Sequence, residues 1–120
     1  MQLDTIREHC LAKPDVTEGF PFGESALVFK TSGRIFAILM IDETPPSINL
    51  KCDPVRALEL REQYDWVQPG YHMNKKHWNT IILDGSIPSE QIQRMIDHSY
   101  QLIVDNLPTA EREQLLASKK

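Results

Sequence analysis

The 120-residue chain reads as a single α+β domain: a mostly antiparallel β-sheet with helices packed on one face. Three observations predict this. Two apolar, β-branched and aromatic runs flank Ser32-Gly33, the signature of a hairpin. Two long segments carry helical periodicity and recognisable start and stop residues. Strands follow one another instead of alternating strictly with helices, so hairpin connections outnumber crossovers. The expected order is α-β-β-β-α-β-β-α-α, with the sheet face away from the helices left partly open.

Leu3, Ile6, Cys10 and Leu11 share one helical face, and Pro14 stops that helix. "GFPFGE" (19–24) follows, an ordered and partly buried loop or irregular strand. "ALVFKTSGRIFAILMI" supplies the hairpin, and its second run is apolar on both faces, as in a central strand. After "DETPP", the stretch "SINLK" alternates: Ile48 and Leu50 face the core, while Ser47, Asn49 and Lys51 face solvent or a site. Asp53 caps a helix with Pro54 at its first position, running to about Tyr64. Val55 and Leu58 form one stripe of it, with Ala57, Leu60 and Tyr64 beside them. "WVQP" is a short strand, and Trp78 to Leu83 another, ending at Asp84-Gly85. Pro88 and Ser89 open the longest helix, with Ile92, Met95, Ile96, Ser99, Ile103 and Leu107 as its buried stripe. Pro108 breaks it. Residues 109–120 form a short C-terminal helix or frayed tail.

Composition narrows the functional classes. Apolar residues make up 41% and charged residues 25%, with a net charge of −4 and a pI near 5.5. Such a body is not drawn as a whole to nucleic acid or to an anionic membrane. The longest apolar run, Ile35 to Ile41, is too short to span a bilayer. Asp4, Arg7 and Glu8 occupy the place of a signal peptide's apolar region, so a cytoplasmic protein with two reduced cysteines is expected.

The charge is unevenly placed. Ser25–Ile41 holds Lys30 and Arg34 without an acid, and Trp66–Leu83 holds Lys75 and Lys76 without an acid. The two segments carry +4 between them, against −4 for the whole chain. Lys51 adds a base on the polar face of its strand. Such elements can grip a phosphate backbone; they also arise where exposed strands carry bases that protect sheet edges.

The densest chemistry is "PGYHMNKKHWNTIIL" (69–83). His72 and His77 are five apart, a spacing that puts them on one face of neither a helix nor a strand, and no nearby Cys, Asp or Glu completes a metal set. Cys52 lies at a strand end and a helix start, where a thiol can be activated, yet alternation turns it toward the core with Ile48 and Leu50. No phosphate loop, paired carboxylates or nucleophile elbow is present. No cofactor, no metal and no catalytic set are expected. Tyr71 and Trp78 can stack on a base or ligand, or pack into the domain. Asn74, Lys75, Lys76 and His77 have no apolar reason for their place.

"FPFGE", "GRIFAIL", "INLKCDP", "ALELREQY", "VQPGYHMNKKHWNTIILDG" and "MIDHSYQLI" occur in an order and spacing that resemble the MmcQ/YjbR family of small bacterial proteins. The resemblance spans about Gly19 to Leu107. It implies a compact α+β domain with a frataxin-like, or double-wing, antiparallel sheet, and it carries that family's label of DNA-binding protein. The label rests on fold analogy and transfers no catalytic residue.

Two functions follow as expectations. The first is backbone binding to DNA through Lys30, Arg34, Lys51, Lys75 and Lys76, with Tyr71 and His77 assisting. The second is a module for an anionic small molecule or a protein partner, built on the polar sheet face and the 69–78 loop. There Asn49, Lys51, Asn74 and His77 converge, with His72 and Tyr71 in the same loop.

Overall fold

The computed structural model describes residues 2–70 and 73–117. Among them the order is α1 (Leu3–Leu11), β1 (Val16–Gly19), β2 (Ala26–Thr31), β3 (Arg34–Met40), β4 (Ser47–Lys51), α2 (Pro54–Gln63), β5 (Val67–Pro69), β6 (Trp78–Ile82), α3 (Ser89–Asp105) and α4 (Thr109–Ala117). The six strands form one antiparallel sheet in the order β1-β2-β3-β4-β6-β5. The expected α+β fold is therefore present, with one strand more than the sequence pattern indicates. β1 is short and mostly exposed, so it has no alternation to announce it. It forms by pairing with β2, Val16 opposite Thr31 and Gly19 opposite Val28.

Local chemistry sets the turns and caps. Ser32 and Gly33 both take positive φ, 52° and 76°, as the tight turn joining β2 to β3 requires. The Asp53 carboxylate accepts from the Arg56 amide at 3.2 Å, and Pro54 starts α2.

α3 and α1 cover one face of the sheet, and the main core lies between. Leu27, Phe29, Phe36, Leu39, Ile48, Leu50 and Ile81 meet Ile92, Ile96, Tyr100, Ile103 and Ile6 there. Phe36 packs edge-on against Tyr100, ring centroids 5.4 Å apart. The pairing shifts between Phe29 and Lys30: Phe29 faces Ala37 and Lys30 faces Ile35, which leaves Phe36 as the extra residue of a bulge.

α2 packs through a different stripe from the one its pattern favours. Ala57 is fully buried and Leu60 and Tyr64 border the core, while Val55 and Leu58 are exposed. The helix lies beside β5 and β6, at the end of the sheet, so only one narrow stripe meets protein. α4 docks through buried Leu115 and through Glu111, which accepts from Arg34 at 3.2 Å. No helix among the described residues is long and apolar enough to cross a membrane.

Ionic ties fix α1. Arg7 donates two parallel bonds to Glu18 on β1, at 2.7 and 2.5 Å. His9 and Lys13 both donate to Asp97 on α3. Burial works to raise the Asp97 carboxyl, but the hydrogen bonds and the charge interactions with Lys13 and His9 together outweigh it and hold the group below its ordinary range.

His98 gives the fold a testable pH response. Burial first, and then the Arg56 charge, holds its imidazole below the usual 6.5. The neutral ring accepts from the Asp53 amide at 3.4 Å, at the start of α2. The fold disfavours the proton that the unfolded chain accepts, so this stability is present above pH 6.5 and declines as the pH falls through the depressed folded value. Urea unfolding at pH 8 and pH 5 should show a smaller pH-linked loss in His98→Gln than in the unaltered protein. Equal losses in both would rule out His98 as a source.

Candidate functional site

The face of the sheet opposite the helices is not a flat solvated surface. Alternation sends Val28, Ile38, Asn49, Thr80 and Gln68 to it as one cross-strand row, and Ala26, Met40, Ser47 and Ile82 as the next. Beyond the last β3–β4 pair, Ala37 with Leu50, two separate short rows share this face: Thr17, Lys30 and Ile35, and Lys51 with Trp78. Ala26, Val28 and Ile38 form a second apolar cluster, joined by Ile35, Met40 and Met73, to which no helix contributes. The floor is apolar over β2 and β3 and polar over β4 and β6.

Two connections wall this floor into a pocket of about 560 Å³. Phe22, from the loop between β1 and β2, stands on one side, and Gln68, Pro69 and Met73 stand on the other. Glu43, before β4, closes one end. The expectation that "GFPFGE" is partly buried is corrected here: Phe20 and Phe22 are 48% and 68% exposed. Exposed aromatics beside a concave apolar surface are the arrangement that ligand pockets use.

Polar groups of the pocket are placed by short bonds. The Thr80 hydroxyl donates to the Asn49 carboxamide oxygen at 2.5 Å. The Ser47 hydroxyl donates to a Glu43 carboxylate oxygen at 2.6 Å. Ser47 and Asn49, read in sequence as facing solvent or a site, are nearly fully buried in the pocket floor.

Gly70 and the segment from Met73 to His77 are held by backbone hydrogen bonds and by one arginine. The Gly70 amide donates to the Trp78 carbonyl at 2.9 Å. A β-carbon at Gly70 would stand 2.8 Å from the Trp78 Cβ, so only glycine fits. Asn74 turns the chain: its side-chain oxygen accepts from the Lys76 amide, and its carbonyl accepts from the His77 and Trp78 amides. Arg61 of α2 then donates to the Asn79 side chain at 2.6 Å, to the Trp78 carbonyl at 3.1 Å, and to the Lys75 carbonyl. Met73 is thereby held against the open-face cluster.

The residues singled out from the sequence separate into groups. Asn49 is in the pocket floor. Lys30 and Lys51 share the open face, and Lys51, Asn74 and His77 are not among the described pocket walls that include Asn49. Arg34 points elsewhere: it donates to the Ser32 carbonyl and to Glu111, an exposed ion pair with α4. The Lys75 ammonium donates to the Gly70 carbonyl at 3.3 Å. His77 contributes its backbone, its carbonyl accepting from the Cys52 amide at 2.7 Å. Tyr71 and His72 lie outside the described residues. Among the described residues no three His, Cys, Asp or Glu side chains gather as a metal site would need.

Cys52 is buried as its alternation predicts, and burial pushes its thiol up to about 11. Burial raises Cys10 further, to about 12. Neither supplies a thiolate at neutral pH.

Sequence reasoning did not single out Phe22, Glu43, Gln68, Met73, Thr80 or Arg61. Thr80 was recoverable, because alternation from Trp78 places it opposite Asn49 once β4 and β6 are known to pair. For the others no local signal exists.

Comparison with known proteins agrees with this architecture. The YjbR family model matches residues 11–102. The chain is 36% identical over 116 residues to YjbR of Escherichia coli strain K12, covering 97% of this chain and 98% of that protein. It is 38% identical over 111 residues to YbdF of Escherichia coli O157:H7, covering 92% and 89%. The crystal structure of a Deinococcus radiodurans protein with family-model domain DUF419 superposes with a TM-score of 0.90 at 38% identity, covering 95% of this chain and 87% of that one. A Pseudomonas syringae protein gives a TM-score of 0.74 at 28% identity, covering 85% and 98%. With one family model running through the whole sheet and all of α2, and relatives matched nearly end to end, the chain belongs to the YjbR family.

Proposed function

We propose that the protein is a binding module whose site is the pocket on the open face of the sheet. The observation that carries this reading is the pocket itself: about 560 Å³, mostly apolar, with a few polar groups held in place by hydrogen bonds. Ligand sites fall in the range of roughly 300–1,000 Å³ and have this composition. A solvated sheet face would have no reason to collect Ala26, Ile38, Met40 and Ile82 beneath an exposed Phe22.

The test is a fragment screen followed by amide chemical shifts. Small aromatic fragments should move the resonances of Ile38, Met40, Met73 and Ile82. Ala26→Trp, which fills the floor from β2, should weaken that binding at least about tenfold with the fold intact, because little of the cavity is left for a ligand. Fragments that leave these resonances still, or that bind Ala26→Trp equally well, would defeat the reading.

A second reading, binding of a DNA backbone, is favoured by one observation: Lys30 and Lys51 both lie on the open face of the sheet. Lys75 and Lys76 stand in the loop beside it, while Arg34 is engaged with Glu111 and the body carries −4. This reading expects weak duplex binding at 50 mM salt that falls by a factor of ten or more at 200 mM, and that is lost in Lys75→Glu/Lys76→Glu. Ala26→Trp should not affect it, which separates the two readings.

A further inference from the structure

We infer that the pocket takes an amphipathic cation, an apolar body with an ammonium or similar charged donor at one end and a hydrogen-bond acceptor near its middle. This rests on the pocket reading above and specifies the ligand class. Glu43 is the one charged side chain among the described pocket walls. The Ser47 hydroxyl holds one of its carboxylate oxygens at 2.6 Å, so the carboxylate is oriented at the Ser47 end of β4. An anion in the pocket would meet Glu43 with no described cation in the walls to offset it. Lys51, two residues beyond Asn49 on the same face, is outside the walls. The strand therefore runs from an acidic end at Ser47 to a basic end at Lys51, which directs a ligand's positive charge toward Glu43.

Asn49 supplies the second element. The residue is only 5% exposed and lines the pocket. Its carboxamide oxygen is taken by Thr80, while its NH₂ group has no partner among the described residues. Among the described residues no buried side-chain nitrogen or oxygen lacks a partner, so this NH₂ group opens to the pocket, where a ligand oxygen can accept from it. Ile38 and Met40 flank that point on the apolar side and give the ligand body its surface.

Three naphthalene probes of one shape and different charge test this: 1-naphthylmethylammonium, 1-naphthalenemethanol and 1-naphthoate. The ammonium should bind about three- to fivefold more tightly than the neutral alcohol, the size expected of a solvent-accessible ion pair, and more tightly still than the carboxylate. In Glu43→Gln the ammonium and the alcohol should bind alike. Naphthoate binding as tightly as the ammonium, or an ammonium preference that survives Glu43→Gln, would overturn the cation assignment while leaving the pocket reading standing. If none of the three probes binds at this face, both fall together.

Discussion

Ser99→Ala is expected to destabilise the protein by about 2–5 kcal/mol, a large effect for the loss of one oxygen atom. Ser99 is fully buried in α3 against the sheet. Its hydroxyl donates to the Phe36 carbonyl at 2.5 Å and accepts from the Lys51 amide at 2.9 Å. Phe36 is the extra residue of the β3 bulge, and the β3–β4 ladder runs only from Ala37 with Leu50 to Met40 with Ser47. Both backbone groups thus sit where the regular ladder has stopped, and the serine closes the gap. Alanine would leave the part-buried Lys51 N–H and the buried Phe36 C=O unpaired, each costing about 1–3 kcal/mol. Urea unfolding at neutral pH measures it. A loss below 1 kcal/mol would mean that the strands shift to pair these groups without help.

Arg61→Ala should cost about 2–3 kcal/mol, because hydrogen bonds to a charged group are the stronger kind and Asn79 loses its acceptor's partner while 1% exposed. Its second effect separates it from an ordinary core variant. Arg61 joins α2 to the Lys75 and Trp78 carbonyls and the Asn79 side chain. Without it the loop bearing Met73 loses its anchor, so hydrogen exchange should quicken at the Met73 and Trp78 amides more than in the middle of α3. Fragment binding at the pocket should weaken in parallel. Arg61→Lys should restore little, since an ammonium cannot make the same fork of bonds. Uniform acceleration across the whole sheet would mean that Arg61 supports the fold in general and not this wall.

These two residues show where sequence reading stops. Ser99 falls on the buried stripe of α3 by periodicity, and nothing in the helix explains why a polar residue is there. The reason is a bulge in β3 and the end of a ladder with β4, both distant in sequence. Arg61 reads as a helical surface charge, yet its partners lie 14 to 18 residues onward. The stretch from Asn74 to His77 shows the converse. Its polarity pointed to a ligand, but much of it is internal bonding: the Asn74 turn, the Lys75 ammonium on Gly70, the His77 carbonyl on Cys52.

By itself the sequence determined the helices, the hairpin, the cap at Asp53, the burial of Cys52 and the family, because each depends on periodicity, on a turn residue's φ or on a run of residue types within a short window. It also determined that Asn49 faces away from the helices, since alternation along one strand suffices. Tertiary structure alone decided that this other face is a walled pocket. Phe22, Glu43, Met73 and Thr80 come from separate connections and strands, and only the β1-β2-β3-β4-β6-β5 order and its register bring them around one floor. The charge that matters there also changed. A one-dimensional count favoured the lysines, whereas the fold left Glu43 in the pocket wall and set Arg34 against Glu111 on α4.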